Sequence, residues 1–563
     1  MKLTERNINI LKVISQVAGG FTVIVAVIMI FSLVQLKTMD PLDSKALAAL
    51  KEQFDKNPGN DDFAAQVRAV DLMARKAYFI SRRQVETGSY LLIAGAVIFV
   101  LCQRLITGNE KTLPPVPGKN LDEVIFHERF RKYLLGSSAF LAVCAVIASF
   151  MLRSSLPDLN VSGPPKKIVL HESARSDTYK PDKINYPSFR GENGRGIAGG
   201  SGYPVEWNGG SGKNIKWKTA LPGKGKSSPV IWDDKIFVTS AEEINCRVIC
   251  INKNNGEILW NISASGITGE PAELPKFAEE SGLAVSTAAA NKDVVCAIFG
   301  NGNLVCLDHR GKILWAENLG SPKNSYGYSS SLLINDNTLI IQFDSESKLS
   351  VSGLDIKTGK VIWESPRQGH PVWSSPVIGV FNGQKQVIIN GNPYVSAFDP
   401  ANGKAIWSVE CMSNDVAPSP ALNSRMVFTV TDYARMYALR PGTSVQIAWS
   451  EDNYTPDVSS PVASDSFVFL STGAGDAACF NAETGDTLWT HYFMDPFYGS
   501  PVIADEKVWF LDRTGKMHIV NESGKFSLIS ESALGEPTDC TPAFSDGHVF
   551  IRGKNNLYCI SEN

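Results

Sequence analysis

The segment "NNGEILW", residues 254–260, closes a longer stretch, "VICINKNNGEILW", whose pattern recurs along the rest of the chain. Each copy has an apolar run, a turn that contains Gly or Asn, and an apolar end, usually Trp. The other copies are "VCLDHRGKILW" ending at Trp315, "GLDIKTGKVIW" at Trp363, "AFDPANGKAIW" at Trp407, "ALRPGTSVQIAW" at Trp449, "CFNAETGDTLW" at Trp489 and "IVNESGKFSLI" at Ile529. Successive ends lie 55, 48, 44, 42, 40 and 40 residues apart. A period of this length indicates a repeated supersecondary unit.

A second marker opens each repeat, and it is a small hydroxyl residue that Pro often follows. It occurs eight times, at Ser228, Thr287, Ser330, Ser375, Ser419, Ser460, Ser500 and Thr541. Short apolar stretches with period-two alternation, such as "KIFVTSA" and "KVWFLD", come after it and predict antiparallel strands. Four strands per repeat are typical of a propeller blade. The sequence therefore predicts an all-β propeller with eight blades.

The last repeat lacks a closing segment, because seven closing segments accompany eight markers. A candidate for the missing strand is "NIKWKTALPG", residues 214–223, which stands just before the first marker. We expect this strand to complete the last blade, since joining the two ends of the array removes two exposed sheet edges. The tryptophans of these segments, each burying about 150–250 Å² between blades, are predicted to be structural: Trp217, Trp260, Trp315, Trp363, Trp407, Trp449 and Trp489.

Three features resemble the pyrroloquinoline-quinone-like (PQQ-like) eight-bladed propeller family. They are the Ser-Ser-Pro openings, the D-x-x-N-G-K-x-x-W ending at 399–407 and "PSFRGENGRG" at 187–196. The resemblance covers residues 187–563 and implies a bacterial cell-envelope protein whose propeller faces the periplasm. The family includes quinoprotein dehydrogenases and the outer-membrane-assembly lipoprotein, a scaffold without a cofactor. The fold alone does not separate these two functions.

The first 152 residues differ in kind from the repeats and predict an α-helical membrane anchor of about three transmembrane helices. Residues 13–36 carry no charge over 24 positions, which is enough helix to cross a bilayer. Further spans are predicted at 89–106 and 134–152. The loop at 37–88 predicts two helices, which fit either a rigid stalk or a hairpin on the membrane surface.

Residues 153–186, rich in Pro, Ser, Lys and Asp, predict a flexible linker between the anchor and a propeller at 187–563. The density of Lys and Arg in the short loops favours an N-terminus inside the cell. Three crossings then place the propeller in the periplasm, with the anchor in the lipid bilayer of the bacterial inner membrane. The net charge of −3 offers no basic face, so nucleic acid is excluded as a partner.

Four cysteines occupy the same place in four repeats, namely Cys250, Cys306, Cys479 and Cys559. Equivalent positions on separate blades lie further apart than the ~4.4–6.8 Å between Cα atoms that a disulfide requires. We therefore predict structural thiols, with local pairing as the alternative, either of Cys246 with Cys250 or of Cys296 with Cys306. The sequence contains no haem-attachment motif, zinc-type spacing or P-loop.

A ring of side chains is predicted at one mouth of the central channel, two residues before each opening marker. In chain order the ring contains Lys226, Val285, Tyr328, Trp373, Ala417, Val458, Tyr498 and Asp539, and Asp457 lies one position earlier in its repeat. Aromatic rings together with a Lys and an Asp favour a planar or sugar-like ligand. The candidate ligand-binding residues are Lys226, Tyr328, Trp373, Asp457, Tyr498 and Asp539. The alternatives are a ring that merely fills the channel and a plain ion pair between Lys226 and Asp539.

Resemblance to quinoprotein dehydrogenases implies an adjacent Cys-Cys pair and a Glu, Asn and Asp set that binds calcium. The chain has no two adjacent cysteines, so we expect no cofactor, with PQQ and calcium as the alternative, and assign no catalytic or metal-binding residue. We expect a membrane-anchored, periplasm-facing scaffold that binds other envelope proteins. The rival functions are a quinoprotein dehydrogenase that passes electrons to membrane quinone and a solute or glycan sensor.

Overall fold

The structure is a computed structural model. It describes residues 11–22, 24, 25, 102 and 184–562, except 272–277, 279, 280, 325, 432–434 and 443. The chain divides into two units, Met1–Ser176 and Asp177–Asn563.

The second unit is the predicted eight-bladed propeller, which the structure confirms: each blade is a sheet with four consecutive antiparallel strands or, in the last blade, three plus one. Blades 1 to 4, from the inner strand outwards, are β3–β6 (Val230–Trp232, Lys235–Glu242, Asn245–Asn252, Ile258–Ser263), β7–β10 (Ala289–Ala290, Val294–Ile298, Asn303–Asp308, Ile313–Asn318), β11–β14 (Leu333–Asn335, Thr338–Ser345, Lys348–Asp355, Val361–Pro366) and β15–β18 (Val377–Phe381, Gln384–Ile389, Tyr394–Phe398, Ala405–Glu410). Blades 5 to 7 are β19–β22 (Ala421–Leu422, Val427–Val430, Met436–Arg440, Gln446–Glu451), β23–β26 (Val462–Ala463, Phe467–Ser471, Asp476–Asn481, Thr487–Tyr492) and β27–β30 (Val502–Ala504, Lys507–Leu511, Lys516–Asn521, Leu528–Ala533).

Blade 8 closes the ring as the sequence predicts. It contains β31–β33 (Ala543–Ser545, His548–Arg552, Asn556–Ile560), and its outer strand is β2 (Ile215–Ala220) from the other end of the repeat region. Within this pairing Trp217 lies opposite Cys559. A further strand, β1 (Ile197–Ala198), pairs in parallel with the inner strand β27 of blade 7.

The membrane anchor is not established by the described residues. Of the first predicted span, residues 13–22, 24 and 25 are described and are helical. The predicted spans at 89–106 and 134–152 and the loop at 37–88 lie outside the described residues, apart from helical Cys102. Within the part of the chain that the structure describes, no helix combines the length and the apolar character that crossing a membrane requires.

The tryptophans at the ends of the repeats join neighbouring blades. In six cases the indole N–H donates to a backbone carbonyl in the turn before the outer strand of the next blade: Trp217 to Lys253, Trp260 to His309, Trp315 to Ile356, Trp363 to Pro400, Trp449 to Ala482 and Trp489 to Ser523. Trp407 instead donates to Gln386 of its own blade. The corresponding turn of blade 5, "RPGTSV", lacks the Asp-x-x-Asn-Gly-Lys sequence of the standard repeat.

The Gly of the repeat is required by this contact as well as by the turn. Gly403 has φ +71°, and a Cβ added there would lie 2.3 Å from Trp363 of the preceding blade. Only Gly satisfies both the left-handed backbone and the close approach of the ring. The same close approach occurs at five blade interfaces, between Gly256 and Trp217, Gly311 and Trp260, Gly359 and Trp315, Gly403 and Trp363, and Gly485 and Trp449, which explains why Gly and Trp recur together.

Blade 7 departs from the pattern. In the other blades, the outer strand places a Trp opposite the third strand. In blade 7 that position is Ser530, which lies opposite Ile519. The sequence alignment that ended this repeat at Ile529 is thus wrong by one residue, because the strand carries the same bulge as the other blades. Trp207, from the segment before β2, is 4% exposed and stacks on Trp509 in the core shared with blade 8.

The repeated cysteines lie opposite the tryptophans. Cys250, Cys306, Cys479 and Cys559 pair with Trp260, Trp315, Trp489 and Trp217, and all four thiols are buried. The proposed local pair of Cys246 and Cys250 is wrong. Both residues belong to β5, and four residues along a strand span about 13 Å.

Substitution of Thr219 by Pro should open blade 8. The N–H of Leu221 donates to the carbonyl of Asn555, the residue just before β33. The N–H of Thr219, two residues earlier, therefore also faces β33, whereas that of Lys218 faces away. A proline at 219 removes a ladder bond and exposes an apolar strand edge, so the thermal transition should fall and aggregation increase. Thermal unfolding followed by light scattering measures both effects.

Lys218→Pro is the matched control, because proline on the outward side of an edge strand is tolerated. Thr219→Val tests the loss of the hydroxyl alone, which donates to Gly256. Equal melting of Thr219→Pro and Lys218→Pro would contradict closure through β2.

Candidate functional site

A closed ring of hydrogen bonds surrounds the central channel at the opening markers. In each blade the backbone N–H of the marker donates to the hydroxyl of the marker in the next blade, over 2.8–3.1 Å. The eighth bond, from Thr541 to Ser228, returns to the first blade. We call this the hydroxyl ring: Ser228, Thr287, Ser331, Ser375, Ser419, Ser460, Ser500 and Thr541. All eight residues are buried.

The hydroxyl ring corrects the sequence alignment of blade 3. Its member there is Ser331, not Ser330. The residue two positions before this marker is therefore Ser329. The side chain of Tyr328 lies on the other face of the chain, in the core. Tyr328 is 4% exposed and its hydroxyl donates to the backbone carbonyl of Gln342 over 2.6 Å. A shift of one residue along an extended chain moves a side chain to the other face, so Tyr328 does not lie at the mouth.

We call the corrected set of side chains the channel mouth: Lys226, Val285, Ser329, Trp373, Ala417, Val458, Tyr498 and Asp539. These residues are partly buried or exposed, whereas most of the residues on either side of them are buried. Charged members come from the adjoining blades 8 and 1. The apolar or small members come mainly from blades 2 to 6.

The charged part of the channel mouth is an ion-pair network around Asp539. Lys226 Nζ lies 3.0 Å from Asp539 Oδ2, and Arg513 Nε lies 2.7 Å from Asp539 Oδ1. Burial alone would raise the pKa of Asp539, but the hydrogen bonds from Arg513 and Lys226 lower it below its usual value. Asp539 is therefore an ionised carboxylate held between two cations.

Arg513 connects Asp539 to the other predicted residues. Its guanidinium lies 3.9 Å from the centre of the Tyr498 ring, a cation–π contact. Burial would lower the pKa of Arg513, but Asp539, and after it Tyr498 and Asp457, raise it above its usual value. Asp457 also accepts the backbone N–H of Gly473 over 3.1 Å. The structure thus gathers Lys226, Asp539, Tyr498 and Asp457 around an arginine.

Trp373 stands apart from that network. Its indole N–H donates to Asn324 over 3.3 Å, and its ring meets that of Tyr326 edge to face at 4.7 Å. Below it, Arg367 and Asp344 form a buried ion pair of 2.6 Å. Asp344 also accepts the N–H of Val372, next to Trp373. This part of the mouth is fixed by a buried polar network between blades 3 and 4.

His518 stabilises the hairpin that carries Arg513. Its Nε2 lies 3.0 Å from Asp512 Oδ2, and its Nδ1 lies 2.6 Å from Glu531 Oε1. The other carboxylate oxygen of Asp512 accepts the N–H groups of Thr514 and Lys516. Burial would lower the pKa of His518, but the hydrogen bonds with Asp512 and Glu531 raise it above 6.5. A buried imidazolium therefore holds the turn that positions Arg513.

The opposite end of the channel is filled by residues 186–198, which we call the plug. Tyr186 bridges to Ile231 of blade 1, the carbonyl of Pro187 accepts from Ala290 of blade 2, and β1 pairs with blade 7. Arg190, fully buried, donates to the carbonyls of Pro420 and Pro461, the residues that follow two members of the hydroxyl ring. Burial lowers the pKa of this guanidinium to about 10.

A cleft of about 660 Å³ opens beside the plug, at the face opposite the mouth. It is lined by the plug and by the hairpins of blades 3 to 6, including Arg195, Lys385 and Asp465. Ile184 and Asn185, at the end of the predicted linker, contact Asp546 and Asp233 at this face.

Sequence reasoning missed Arg513 and the plug. Arg513 lies in the turn between the second and third strands, outside the marker register in which the mouth was sought. The plug segment, "PSFRGENGRG", was used only as a family feature. The signal it offers in the sequence is an Arg among several glycines, which indicates close backbone packing; in the structure these glycines have positive φ and Arg190 is buried. No periodic pattern marks either feature.

The residues of the channel mouth do not fit a calcium–quinone site. Asp539 faces two cations and Asp457 accepts a backbone N–H, whereas calcium takes 6–8 oxygen ligands. Over residues 184–562 and the few described before them, no three His, Cys, Asp or Glu side chains are grouped as a metal site.

Comparison with known sequences assigns the family. The model of the family described as outer membrane protein assembly factor BamB matches residues 192–346, 347–464 and 446–530. These segments cover more than half of the chain. The chain belongs to the BamB family. The predicted resemblance to PQQ-like propellers is thereby confirmed.

Individual relatives are more distant. Tetrathionate hydrolase from Acidithiobacillus ferrooxidans is 24% identical over 225 residues, 37% of this chain and 42% of that protein. This chain therefore matches less than half the length of that relative. BamB from Moraxella catarrhalis is 17% identical with a TM-score of 0.48, over 62% of this chain and 97% of that one. Quinohemoprotein alcohol dehydrogenase from Comamonas testosteroni is 12% identical with a TM-score of 0.52, over 67% and 80%. The last similarity shows a shared fold.

Replacement of His518 by Gln should destabilise the propeller in a pH-dependent way. The raised pKa of His518 means that its contribution is complete below 6.5 and disappears as the pH rises through the higher folded value. The lowered pKa values of Asp512 and Glu531 mean that their contributions are lost as the pH falls below about 4. At any pH between 5 and 6.5 the free energy of unfolding of the variant should therefore be about 3 kcal/mol lower than that of the unaltered protein. The difference should be smaller at pH 8 to 9.

Denaturant unfolding at each pH measures this difference. Lys516 and His491 are the other charged or titratable groups near Glu531 and remain unchanged in the variant. His370→Gln, at an exposed position, is the control and should show no such pH dependence. A deficit that is constant from pH 5 to 9 would show that His518 is not a buried cation.

Proposed function

We propose that this protein is a binding scaffold of the bacterial cell envelope, anchored in the inner membrane with its propeller in the periplasm. Membership of the BamB family supports a role in envelope assembly, since the family is described by an assembly factor. The uncharged stretch at 13–36 and the distribution of Lys and Arg support the anchor and its orientation. The partner is another envelope protein.

The observation that carries this proposal is the charge balance of the channel mouth. Lys226 and Arg513 both pair with Asp539, and Asp457 lies near Arg513, so two cations face two carboxylates without a small ligand. Its side chains nevertheless keep partial exposure, 31%, 36% and 18% for Lys226, Arg513 and Asp539. Such a network suits a polar contact with a folded partner, in which charges set orientation and association rate.

The exposed edge of the mouth supports a protein contact as well. Val458 is 38% exposed, and it adjoins Asp457 and lies in the blade next to Tyr498. An apolar residue beside an aromatic ring and an arginine is the composition that protein interfaces favour at their centre. We propose that blades 6 to 8 and blade 1 provide the docking side of the mouth.

A photo-crosslinking residue placed at Val458 should capture the partner in native membranes. The matched control is Val380, which is 58% exposed but lines the cleft beside the plug at the opposite face. One adduct of defined mass is expected from Val458 and none of that mass from Val380. Mass spectrometry identifies the adduct, and the purified partner should then reconstitute the crosslink.

Charge reversal at the centre of the network tests the docking chemistry. Arg513→Glu places a third carboxylate beside Asp539 and Asp457 and should reduce the adduct at least tenfold, whereas Arg513→Lys keeps the charge and should retain most of it. Equal adducts in both variants, or equal labelling from Val458 and Val380, would contradict docking at the mouth.

The dehydrogenase alternative makes a different prediction. Purified protein supplied with PQQ and calcium should not oxidise alcohols or sugars with an artificial electron acceptor, because the mouth carboxylates are committed to internal partners. A quinohemoprotein alcohol dehydrogenase serves as the positive control. Cofactor-dependent turnover that disappears in Asp457→Asn or Asp539→Asn would establish the dehydrogenase and overturn the scaffold.

A further inference from the structure

We propose that Cys296 and Cys306 of blade 2 form a cross-strand disulfide when the protein meets a disulfide oxidant. The two residues lie directly opposite one another on neighbouring strands, β8 and β9. This inference rests on the proposed function in one respect, since the propeller would meet such an oxidant in the periplasm.

The backbone hydrogen bonds show that Cys296 and Cys306 form a non-hydrogen-bonded pair, the kind of antiparallel pair in which the two Cα atoms are closer together. Asp308 of β9 donates its N–H to Lys312 on the β10 side, so Cys306, two residues earlier, also directs its backbone groups towards β10. Asn291 donates its N–H to the carbonyl of Val294, so Cys296 directs its backbone groups towards β7. The two cysteines are thus a non-hydrogen-bonded pair.

The expected separation in such a pair suits a disulfide. Cα atoms of non-hydrogen-bonded pairs lie about 4.5 Å apart, within the range of ~4.4–6.8 Å that disulfides span. Both side chains point to the same face of the sheet and belong to the same core, between blades 2 and 3. Both residues are fully buried. Burial, and after it the hydrogen bond with Cys306, raises the pKa of Cys296.

The other blades show that this pair is unusual. In each of the other blades, the residue of the second strand that lies opposite the position equivalent to Cys306 is large. These residues are Phe237, Ile340, Ile388, Phe428, Phe469, Trp509 and Phe550. Blade 2 has Cys296 there instead. Three other repeated cysteines, Cys250, Cys479 and Cys559, therefore face a phenylalanine and have no cysteine opposite.

The reaction is two successive thiol–disulfide exchanges. The exchange takes place as the chain folds, before blade 2 buries the two side chains. One thiol loses its proton and attacks a disulfide such as oxidised glutathione, which releases one glutathione thiol and leaves a mixed disulfide. The second cysteine loses its proton and attacks the mixed disulfide, which releases the second glutathione thiol. The protein is oxidised by two electrons and glutathione disulfide is reduced to two thiols.

Peptide mapping of the full-length protein tests the proposal. Thiols are quenched with acid and then alkylated with N-ethylmaleimide in neutral denaturant, both in protein taken directly from cells and in reduced protein refolded from denaturant during incubation with oxidised glutathione. Trypsin cleavage after Lys292 and Arg310 releases one peptide that contains both cysteines, and chymotrypsin then cleaves after Phe299 between them. The two halves should stay joined until a reductant is added, whereas Cys250, Cys479 and Cys559 should carry maleimide.

Two variants control for misfolding and for pairing with another thiol. Cys306→Ala should abolish the joined peptides and leave Cys296 alkylated, while Cys250→Ala should leave the joined peptides unchanged. Joined peptides in both preparations support the proposal and the oxidising compartment. Joined peptides only after incubation with glutathione support the disulfide and contradict the periplasmic side of the proposed function. Free Cys296 and Cys306 in both preparations would overturn the proposal.

Discussion

The hydroxyl ring is the constraint on which the rest of the propeller depends. Each of its eight members donates through its backbone and accepts through its side chain, so no bond of the ring can be changed without affecting two blades. A buried N–H without a partner costs about 1–3 kcal/mol, which explains why only Ser and Thr occupy these positions. The ring also fixes which residues of each extended segment point to which face, and this alternation decides which neighbouring side chains reach the mouth.

The outside of the propeller is held by a different device. At five interfaces the tryptophan of one blade donates to the turn of the next and packs against its Gly, as Trp363 does with Pro400 and Gly403. A bulge beside the closing residue occurs in all eight blades. Such bulges interrupt an exposed edge and turn its side chains, so the same feature aims the aromatic ring and discourages pairing with another sheet. Where blade 7 lacks the tryptophan, Trp207 contributes to the core instead.

Much of this architecture could be predicted from the sequence, because hydroxyl markers, glycines and tryptophans recur at spacings that only a blade explains. The number of blades, the closure through Trp217 and the place of the repeated cysteines all follow from that register. Tyr328 could not be placed correctly, because "YSSS" offers three serines and the choice of marker depends on a hydrogen bond to the next blade. Arg513 and Arg190 were out of reach for another reason. Their contacts join segments that are distant in sequence and follow no period, so only the folded chain brings them to the mouth and to the plug.

The plug joins blades that are not neighbours in the ring. It contacts blades 1 and 2 through Tyr186 and Pro187, blade 7 through β1, and blades 5 and 6 through Arg190. Any movement of these five blades away from one another would break a contact with the plug. A segment that precedes the first blade therefore ties the ring together across its centre, in addition to the bonds between adjacent blades.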